Sequence, residues 1–464
     1  MSKTNREIYR AQMDAVKASQ ALRQKIERFA AEPAQENQTP KRKHRNWKYA
    51  AAGAMAAVLV CVLLLASFPF PVSSSSGMVN LMAGISPRAQ AASVSAMDEN
   101  FLRAQADFSV KLLQKASEKG KNSLASPFSV TSALAMTANG ADGNTLSQFQ
   151  QLLGGGIPLE ELNRQYAAWA NRLTANGSKL KSANSVWYGK DRVTVQKEFL
   201  RSNADYYKAD AYQADFGSRD IVAQINGWVK NHTGGKIDRV VQSVDPQTVM
   251  YLINALYFED DWSSPYYTGE NKDYEEFHTP NGTVTRQFLT SREDYLHDNR
   301  AQGMYKPFQD ERYAFVAILP NEGIDLDSYV SGLTGEQFLN LVKSKDDRVD
   351  FKLPKFKYEY ETQLNESLKA LGLTDAFQPE QADFSKMGST PGGSLFIGSV
   401  LHKTFLQVDE VGAKAGAVTE VMMTVSSAPE DFKKVVFNRP FVCAIVDTQT
   451  NLPIFLGTVT DPLQ

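Results

Sequence analysis

One segment near the carboxyl end constrains the fold of this chain more than any other: "DEVGAKAGAVTEVMMTVSSAPEDF", residues 409–432. Read in steps of two from Ala413, one set of positions is small or apolar, and the alternate set carries Lys414 and Glu420. This alternation is typical of a β-strand with one buried face. The first half nevertheless lacks large aliphatic residues, and "SSAPEDFKK" predicts an exposed loop. An ordinary amphipathic strand explains the alternation but not the small first half.

Length and composition limit the folds available to that segment. The chain has 464 residues, of which 42% are hydrophobic, enough for one large domain or two ordinary ones. Its two cysteines, Cys61 and Cys443, provide neither a disulfide framework nor a cysteine-based metal site.

A second feature is the run of nineteen uncharged residues from Ala50 to Phe68, about the length of a helix that crosses a bilayer. The first 48 residues hold twelve Lys and Arg against five Asp and Glu, whereas residues 70–464 hold 38 against 47. Positive charge favours the cytoplasmic side. The pattern predicts a single-pass cell-membrane protein with a cytoplasmic amino terminus and an extracellular remainder; a buried core helix is the alternative.

These predictions divide the chain into four regions. Residues 1–46 are expected to form a cytoplasmic tail, and residues 47–69 a transmembrane helix. Residues 70–96 are small and polar, as in an extracellular linker that a protease could cut to release the rest. Residues 97–464 have globular composition, with helical patterns mainly early and strand patterns mainly late, which predicts one mixed α+β domain.

Motifs for catalysis or cofactor binding are missing from the sequence. The five histidines lack metal-ligand spacing, and neither HExxH nor G-x-S-x-G occurs. "LLGGGIP" is glycine-rich but lacks the Lys-Ser/Thr of a phosphate-binding loop, and is better explained as a helix end. No basic patch with interleaved aromatic residues indicates nucleic-acid binding. We therefore expect no enzyme activity, no cofactor, no metal and no nucleic-acid partner.

From about residue 97 to 464, the chain resembles a serpin, because eight landmark segments appear in the family's order. They are the opening segment itself together with "NSLASPFSVTSALAMTANGADGNT", "ANSVWYG", "INGWVKNHTGGKI", "VMYLINALYFEDDW", "LPKFKYEYE", "SVLHKTFLQVDEVGAKAGAV" and "FNRPFVCAI". The resemblance implies a bacterial, monomeric member with the serpin fold. That fold has three β-sheets, a set of about nine helices and an exposed reactive-centre loop, here preceded by the transmembrane helix.

The resemblance also implies a function. Serpin inhibitors are suicide substrates of serine, and sometimes cysteine, proteases, with which they form a covalent acyl complex. The cleaved loop then enters the main sheet as a new strand. Small inward residues suit that step, since extra volume in a packed interior costs about 1–3 kcal/mol. The implied hinge residues are Glu410, Gly412, Ala413, Ala415, Ala417 and Thr419.

By resemblance, the bait bond is Ser426–Ser427, with one to three residues of latitude either way. Ser426 favours proteases with small primary pockets, elastase-like or subtilisin-like, whereas cleavage after Met422 or Met423 would favour chymotrypsin-like ones. No Arg or Lys lies in residues 415–432, which argues against trypsin-like targets.

Two clusters are implied to control opening of the main sheet. The first, the breach cluster, comprises Lys355, Glu410 and Trp262, with a salt bridge between the first two. The second, the shutter cluster, comprises four polar residues under the centre of the sheet: Ser126, Ser129, Asn254 and His402.

Two other functions stay open at this point. A serpin that has lost inhibition would act as a binding module, and a membrane-anchored one would report loop cleavage to its cytoplasmic tail. The small hinge residues favour inhibition over the binding module, and no feature of the tail requires the sensor.

Overall fold

This computed structural model describes residues 78–88, 97–175, 177–246, 248–266, 273–391, 393–413 and 433–462. It divides the chain after Ser73, and every described residue belongs to the second unit, Ser74–Gln464. The opening segment is described up to Ala413 only, and the chain again from Lys433.

The described residues contain nine α-helices and nineteen strands. The helices are α1 Glu99–Ala116, α2 Pro127–Ala138, α3 Gly143–Gly154, α4 Leu159–Leu173, α5 Lys197–Tyr207, α6 Ile221–His232, α7 Leu326–Ser331, α8 Gly335–Lys343 and α9 Asn365–Ala370. The first ten strands are β1 Val79–Asn80, β2 Ser123–Ala125, β3 Leu180–Gly189, β4 Thr194–Val195, β5 Asp210–Ala214, β6 Met250–Phe258, β7 Asp260–Asp261, β8 Asp273–Thr279, β9 Gly282–His297 and β10 Ala301–Pro307. The others are β11 Tyr313–Pro320, β12 Asp346–Pro354, β13 Phe356–Gln363, β14 Gly388–Ser389, β15 Leu401–Val408, β16 Gly412–Ala413, β17 Lys434–Val436, β18 Phe441–Asp447 and β19 Pro453–Val459.

In the part of the chain that the structure describes, these strands form two larger sheets and three two-stranded ladders. One sheet has the order β1-β5-β3-β6, in which β3 runs parallel to β5 and antiparallel to β6. The other has nine strands in the order β17-β12-β9-β10-β11-β18-β19-β2, with β8 paired to β9. The ladders are β13–β15, β16–β7 and β14–β4.

Local sequence explains the elements that position the site. Ser126 caps α2, and Pro127 takes the first helical position, where its missing N–H is not needed. Apolar and small hydroxyl residues cover every side of α2, so this helix runs through the core rather than along the surface. β11, β18 and β19 are buried at every position, as expected of strands covered on both faces.

The predicted membrane anchor needs correction. No helix in the described ranges is long and apolar enough to cross a membrane. The longest, α1, has 18 residues but carries Glu99, Arg103 and Lys111, because only one of its faces packs on the core. On this finding, the prediction of a single-pass protein at the cell membrane with an extracellular domain is wrong as stated. The predicted transmembrane helix, residues 47–69, with its bilayer-crossing run 50–68, itself lies outside the described residues.

Candidate functional site

The base of the opening segment leaves the fold where β6 and β15 end. After β15, the chain reverses at Asp409, whose carboxylate accepts the N–H groups of Val411 at 3.0 Å and Gly412 at 3.2 Å. Gly412 and Ala413 form β16, which pairs antiparallel with β7. Because β7 follows β6 and β16 follows β15, this ladder joins the two longer strands at one end.

Close approach of two backbones makes Gly412 necessary here. A Cβ atom at this position would lie 2.1 Å from the carbonyl oxygen of Asp260 in β7. Only glycine, which lacks that atom, permits such an approach. Any other residue would push β16 away from β7.

The structure brings Lys355 and Glu410 of the breach cluster together. Lys355 lies between β12 and β13, and its ammonium donates to both carboxylate oxygens of Glu410, at 2.9 and 2.7 Å. Burial is the largest single influence on the pKa of Glu410 and would raise it. The hydrogen bonds and charge of Lys355, with a backbone hydrogen bond and one from Gln287, together outweigh burial, so this pKa lies below its usual value. The two side chains are 39% and 24% exposed, so water screens the ion pair in part.

Trp262, the third breach residue, holds the backbone of the loop base. Its indole Nε1–H donates to the carbonyl oxygen of Asp409 at 2.9 Å, and its main-chain N–H donates to that of Val411 at 2.8 Å. The buried indole stacks on Phe308, with ring centroids 4.5 Å apart and planes 14° apart. Stacking on Phe308 thus fixes the ring, and its N–H group binds the backbone of the loop base.

The four shutter residues meet at the first turn of α2. The Ser126 N–H donates to Nε2 of His402 in β15 at 2.9 Å, and the Ser126 hydroxyl donates to the carbonyl oxygen of Ile454 at 2.8 Å. The Ser129 N–H donates to the Ser126 hydroxyl at 3.2 Å, and the Ser129 hydroxyl bonds the side-chain oxygen of Asn254 in β6. The start of α2 therefore binds both β6 and β15.

His402 contributes to this network only as an uncharged ring. Burial lowers its pKa to about 4, so it is neutral near pH 7. Its Nε2 accepts the Ser126 N–H, which places the ring proton on Nδ1. A second proton on Nε2 would remove that acceptor and bury a charge.

Asn184 and Ser132 extend the shutter cluster, although the sequence patterns did not identify them. Asn184 faces Asn254 in the β3–β6 ladder, and its side-chain oxygen accepts the Asn254 amide and the hydroxyl of Ser132. The Asn184 amide donates to the carbonyl oxygen of Tyr207 at 2.9 Å. The available signal was an asparagine inside the otherwise apolar strand pattern "ANSVWYG", since a buried polar side chain requires partners.

β6 and β15 are edge strands of two separate parts of the sheet structure, and the first turn of α2 binds both. β6 pairs with β3, and β15 pairs with β13. Within the described residues, no ladder or main-chain hydrogen bond joins β6 to β15 along their length. We call the line between these two strands the seam; β7–β16 closes it at one end, and α2 bridges it. Two such edges can accept a further strand between them.

Several predicted site residues fall beyond the described part of the chain. They are Ala415, Ala417, Thr419, Ser426 and Ser427. Ala413 is described through its backbone only.

Other chemistry has little support among the described residues. None of their His, Cys, Asp and Glu side chains form a group of three or more that could hold a metal ion. Cys443 is buried, and burial raises the pKa of its thiol to about 12, so it is a packing residue rather than a nucleophile.

Known proteins share this architecture. Residues 103–462 match the family described as Serpin (serine protease inhibitor). The chain is similar to the crystal structure of tengpin, a thermophilic serpin, in the native state, with 44% identity and a TM-score of 0.77 over 83% of this chain and 100% of that one. Tengpin in the latent state gives 43% identity and a TM-score of 0.69 over 79% and 99%. Leukocyte elastase inhibitor A of Mus musculus is 31% identical over 375 residues, covering 76% of this chain and 97% of that protein.

Proposed function

The chain belongs to the serpin family, and we propose that it is a suicide-substrate inhibitor of serine proteases. Serpins are generally protease inhibitors rather than enzymes. For this particular chain, we propose both the trapping mechanism and the class of protease that it traps.

The seam is the observation that carries it. β16 delivers the chain to one end of the seam, and residues 414–425 continue it with small or apolar side chains at every second position. A strand inserted there would pair with β6 on one side and β15 on the other. Each main-chain hydrogen bond gained contributes about 0.5–1.5 kcal/mol net, so a strand paired on both edges is strongly favoured.

The length of the segment that would insert also matches the length of the strands beside the seam. Ser426 lies thirteen positions after Ala413, and at a rise of about 3.3 Å per residue this segment spans roughly 40 Å when extended. Residues 250–261, which contain β6 and β7, span roughly the same distance. Full insertion would therefore carry anything attached to Ser426 from one end of the seam to the other.

The proposed reaction uses the catalytic groups of the protease. Its serine oxygen attacks the carbonyl carbon of Ser426, the bond to Ser427 breaks, and the freed amine leaves with a proton from the protease's histidine. The chain ending at Ser426 is then an ester on the protease. Insertion drags the protease along the seam and distorts its site before water can hydrolyse that ester. The inhibitor supplies no catalytic group.

We assign the breach and shutter clusters to the control of insertion. The ion pair between Lys355 and Glu410 and the hydrogen bonds of Trp262 hold the loop base at the end where a strand would enter. The shutter cluster holds the seam further along, through the first turn of α2. Insertion requires the first to release and the second to rearrange.

The bait residues set the proposed preference. A small residue at Ser426 suits elastase-like and subtilisin-like pockets, and a cut after Met422 or Met423 would suit chymotrypsin-like ones. The similarity to a leukocyte elastase inhibitor agrees with the first choice. Without Arg or Lys in residues 415–432, trypsin-like proteases have no matching bait.

Protease trapping by the full-length protein tests the proposal. We expect complexes that survive denaturing gels with elastase-like, subtilisin-like or chymotrypsin-like proteases, and none with a trypsin-like one. Thr419→Pro removes an amide that the inserted strand needs while leaving the bait bond unchanged. This variant should be cut with full recovery of protease, whereas the matched Thr419→Ser, which keeps the amide, should still trap.

The opposite result has a clear form. If the unaltered chain is cut without trapping any protease, and its clipped form is no more heat-resistant than the intact one, inhibition is excluded. The binding-module alternative would then explain the fold.

A further inference from the structure

A buried ion pair lies directly behind the loop base. Lys306 is the penultimate residue of β10, and Glu293 lies in the neighbouring strand β9. Their chain neighbours Tyr305 and Asp294 pair across the ladder between the two strands. The ammonium of Lys306 and the carboxylate of Glu293 form an ion pair, although their side chains are only 0% and 7% exposed. Both charges are therefore removed from water.

The same ammonium contacts the turn formed by residues 262–266. Lys306 Nζ donates to the carbonyl oxygen of Ser264 at 2.7 Å. It also lies 4.4 Å from the ring centroid of Tyr266 and 5.5 Å from that of Trp262. Attraction between a cation and an aromatic face is stronger where water is excluded. One ammonium thus binds three residues of a single turn.

That turn is also the one that grips the loop base. The Tyr266 N–H donates to the carbonyl oxygen of Glu410 at 3.2 Å, and the Trp262 N–H donates to that of Val411 at 2.8 Å. The loop base leaves only when these donors release it. Because the turn is fastened to Lys306, it cannot move far without separating the ammonium from its partners.

The energetics favour a geometric role for the pair. Burial raises the pKa of Glu293 and lowers that of Lys306, and in each case the partner's charge opposes the shift. Replacing a buried ion pair by apolar residues of similar size is often neutral or stabilising, whereas removing one partner is strongly destabilising. The pair is therefore weak evidence for stability and better explained by the turn that it holds.

Resting on the proposed inhibitory function, we propose that Lys306 and Glu293 are positioning residues that fix the turn at 262–266 and so set the rate at which the loop base is released for insertion. While the pair is intact, a shift of the turn leaves a buried charge without its partners. When the ammonium is absent, the turn shifts more easily, and insertion begins sooner.

Lys306→Met in the full-length protein is the first test. Two rates are measured: spontaneous conversion of the intact protein to a non-inhibitory, heat-resistant form, and formation of the protease complex. We expect conversion to accelerate roughly tenfold. This is the effect of removing one contact that the intact protein must break to reach the transition state. Because Lys306→Met leaves the Glu293 carboxylate buried without its partner, the thermal midpoints of the intact and the clipped protein should both fall, and the conversion rate is the readout that tests positioning.

The double variant Lys306→Met/Glu293→Leu separates positioning from stability. It contains no buried charge, so the thermal midpoint of the intact protein should recover. Conversion should nevertheless stay fast, because the turn still lacks its ammonium. A purely structural pair predicts instead that the double variant restores both the midpoint and the conversion rate.

Arg286→Met is the matched control. Like Lys306, Arg286 is a buried cation, but it lies in β9 at the other end from Glu293 and pairs with Asp461 at 3.0 Å. Its loss should lower the midpoints of the intact and clipped forms alike and leave conversion unchanged. The inference is overturned if Lys306→Met behaves in the same way. Failure of the unaltered protein to trap any protease would count instead against the proposed function.

Discussion

The breach and shutter clusters hold the same seam by different chemistry. The breach ion pair of Lys355 with Glu410 is charged and partly exposed. The shutter residues are uncharged, and Ser126, Ser129 and His402 are buried. Exposed ion pairs are weak and screened by salt, whereas unmade hydrogen bonds in the interior are costly and insensitive to salt. On the proposed function, the ion pair at the end where a strand would enter should yield more readily than the buried hydrogen bonds further along the seam.

The largest expected effect is at the shutter. Asn254→Ala removes the partner of the Ser129 hydroxyl and of the Asn184 side chain. The Ser129 hydroxyl loses its acceptor, and the Asn184 oxygen loses one of its two donors and keeps Ser132. One unsatisfied polar group and one lost hydrogen bond predict a loss of about 2–4 kcal/mol in the free energy of unfolding of the intact protein. Urea unfolding followed by circular dichroism measures it.

Asn281→Ala, in the exposed turn between β8 and β9, is the control for that substitution. It should change the free energy of unfolding by less than about 0.5 kcal/mol. Equal effects of Asn254→Ala and Asn281→Ala would mean that the shutter does not hold the seam.

Acid should weaken the shutter before the breach. The pKa of His402 is lowered from about 6.5 in the unfolded chain to about 4 in the fold, so the unfolded state binds the proton first as pH falls. The stability contributed by the neutral ring is complete above about pH 6.5 and is lost progressively towards pH 4. Between pH 7.5 and pH 5, we expect the intact protein to lose about 2 kcal/mol.

A substitution assigns that acid sensitivity. His402→Gln offers a side-chain oxygen to the Ser126 N–H and has no titrating ring, so the loss between pH 7.5 and pH 5 should disappear. The exposed His278→Gln should leave it unchanged. The pKa of Glu410 is lowered by Lys355, so its contribution is present above about pH 4.5 and is lost only below that value. A loss confined to pH below 4.5 would therefore contradict the assignment to His402.

The smallest effect is expected at the breach ion pair. Lys355→Met should reduce the free energy of unfolding by about 0.5–1 kcal/mol at low salt, and by less in 1 M salt, because the pair is partly exposed. Protease trapping should nevertheless become faster, since the loop base is less firmly held. Lys369→Met, which breaks an exposed pair with Glu366, serves as the control and should leave the trapping rate unchanged. If 1 M salt does not reduce the loss in the free energy of unfolding caused by Lys355→Met, the breach and shutter clusters do not differ in salt sensitivity as we expect.

Much of the site could be named from the sequence, and the reason differs from residue to residue. The serpin family and its fold are confirmed, because the landmark segments lie in order over most of the chain. Lys355 and Glu410 were paired by resemblance, and the structure places them in contact. Their roles, and those of the hinge and bait residues, stay predictions.

Other residues of the site could not be identified from the sequence. Lys306 and Glu293 carry no motif, and their importance arises from the turn that packs against them. Asn184 is marked in the sequence as a polar residue in an apolar strand pattern, but its partner Asn254 follows only from the register of β3 and β6. The membrane prediction rested on the hydropathy of residues 50–68 and the charges on either side of them, without any tertiary contact, and the structure did not support it.

Residue order by itself determined the alternation of residues 413–425, the small side chains of its first half and the unbroken series of amides. These are properties of single residues and their immediate neighbours, so they need no knowledge of the fold. Only the tertiary structure decided that β6 and β15 face each other across a seam, that Gly412 meets the backbone of Asp260, and that a buried ammonium stands behind Trp262. Such features depend on which distant strands come together, and in what register, and local composition does not specify either.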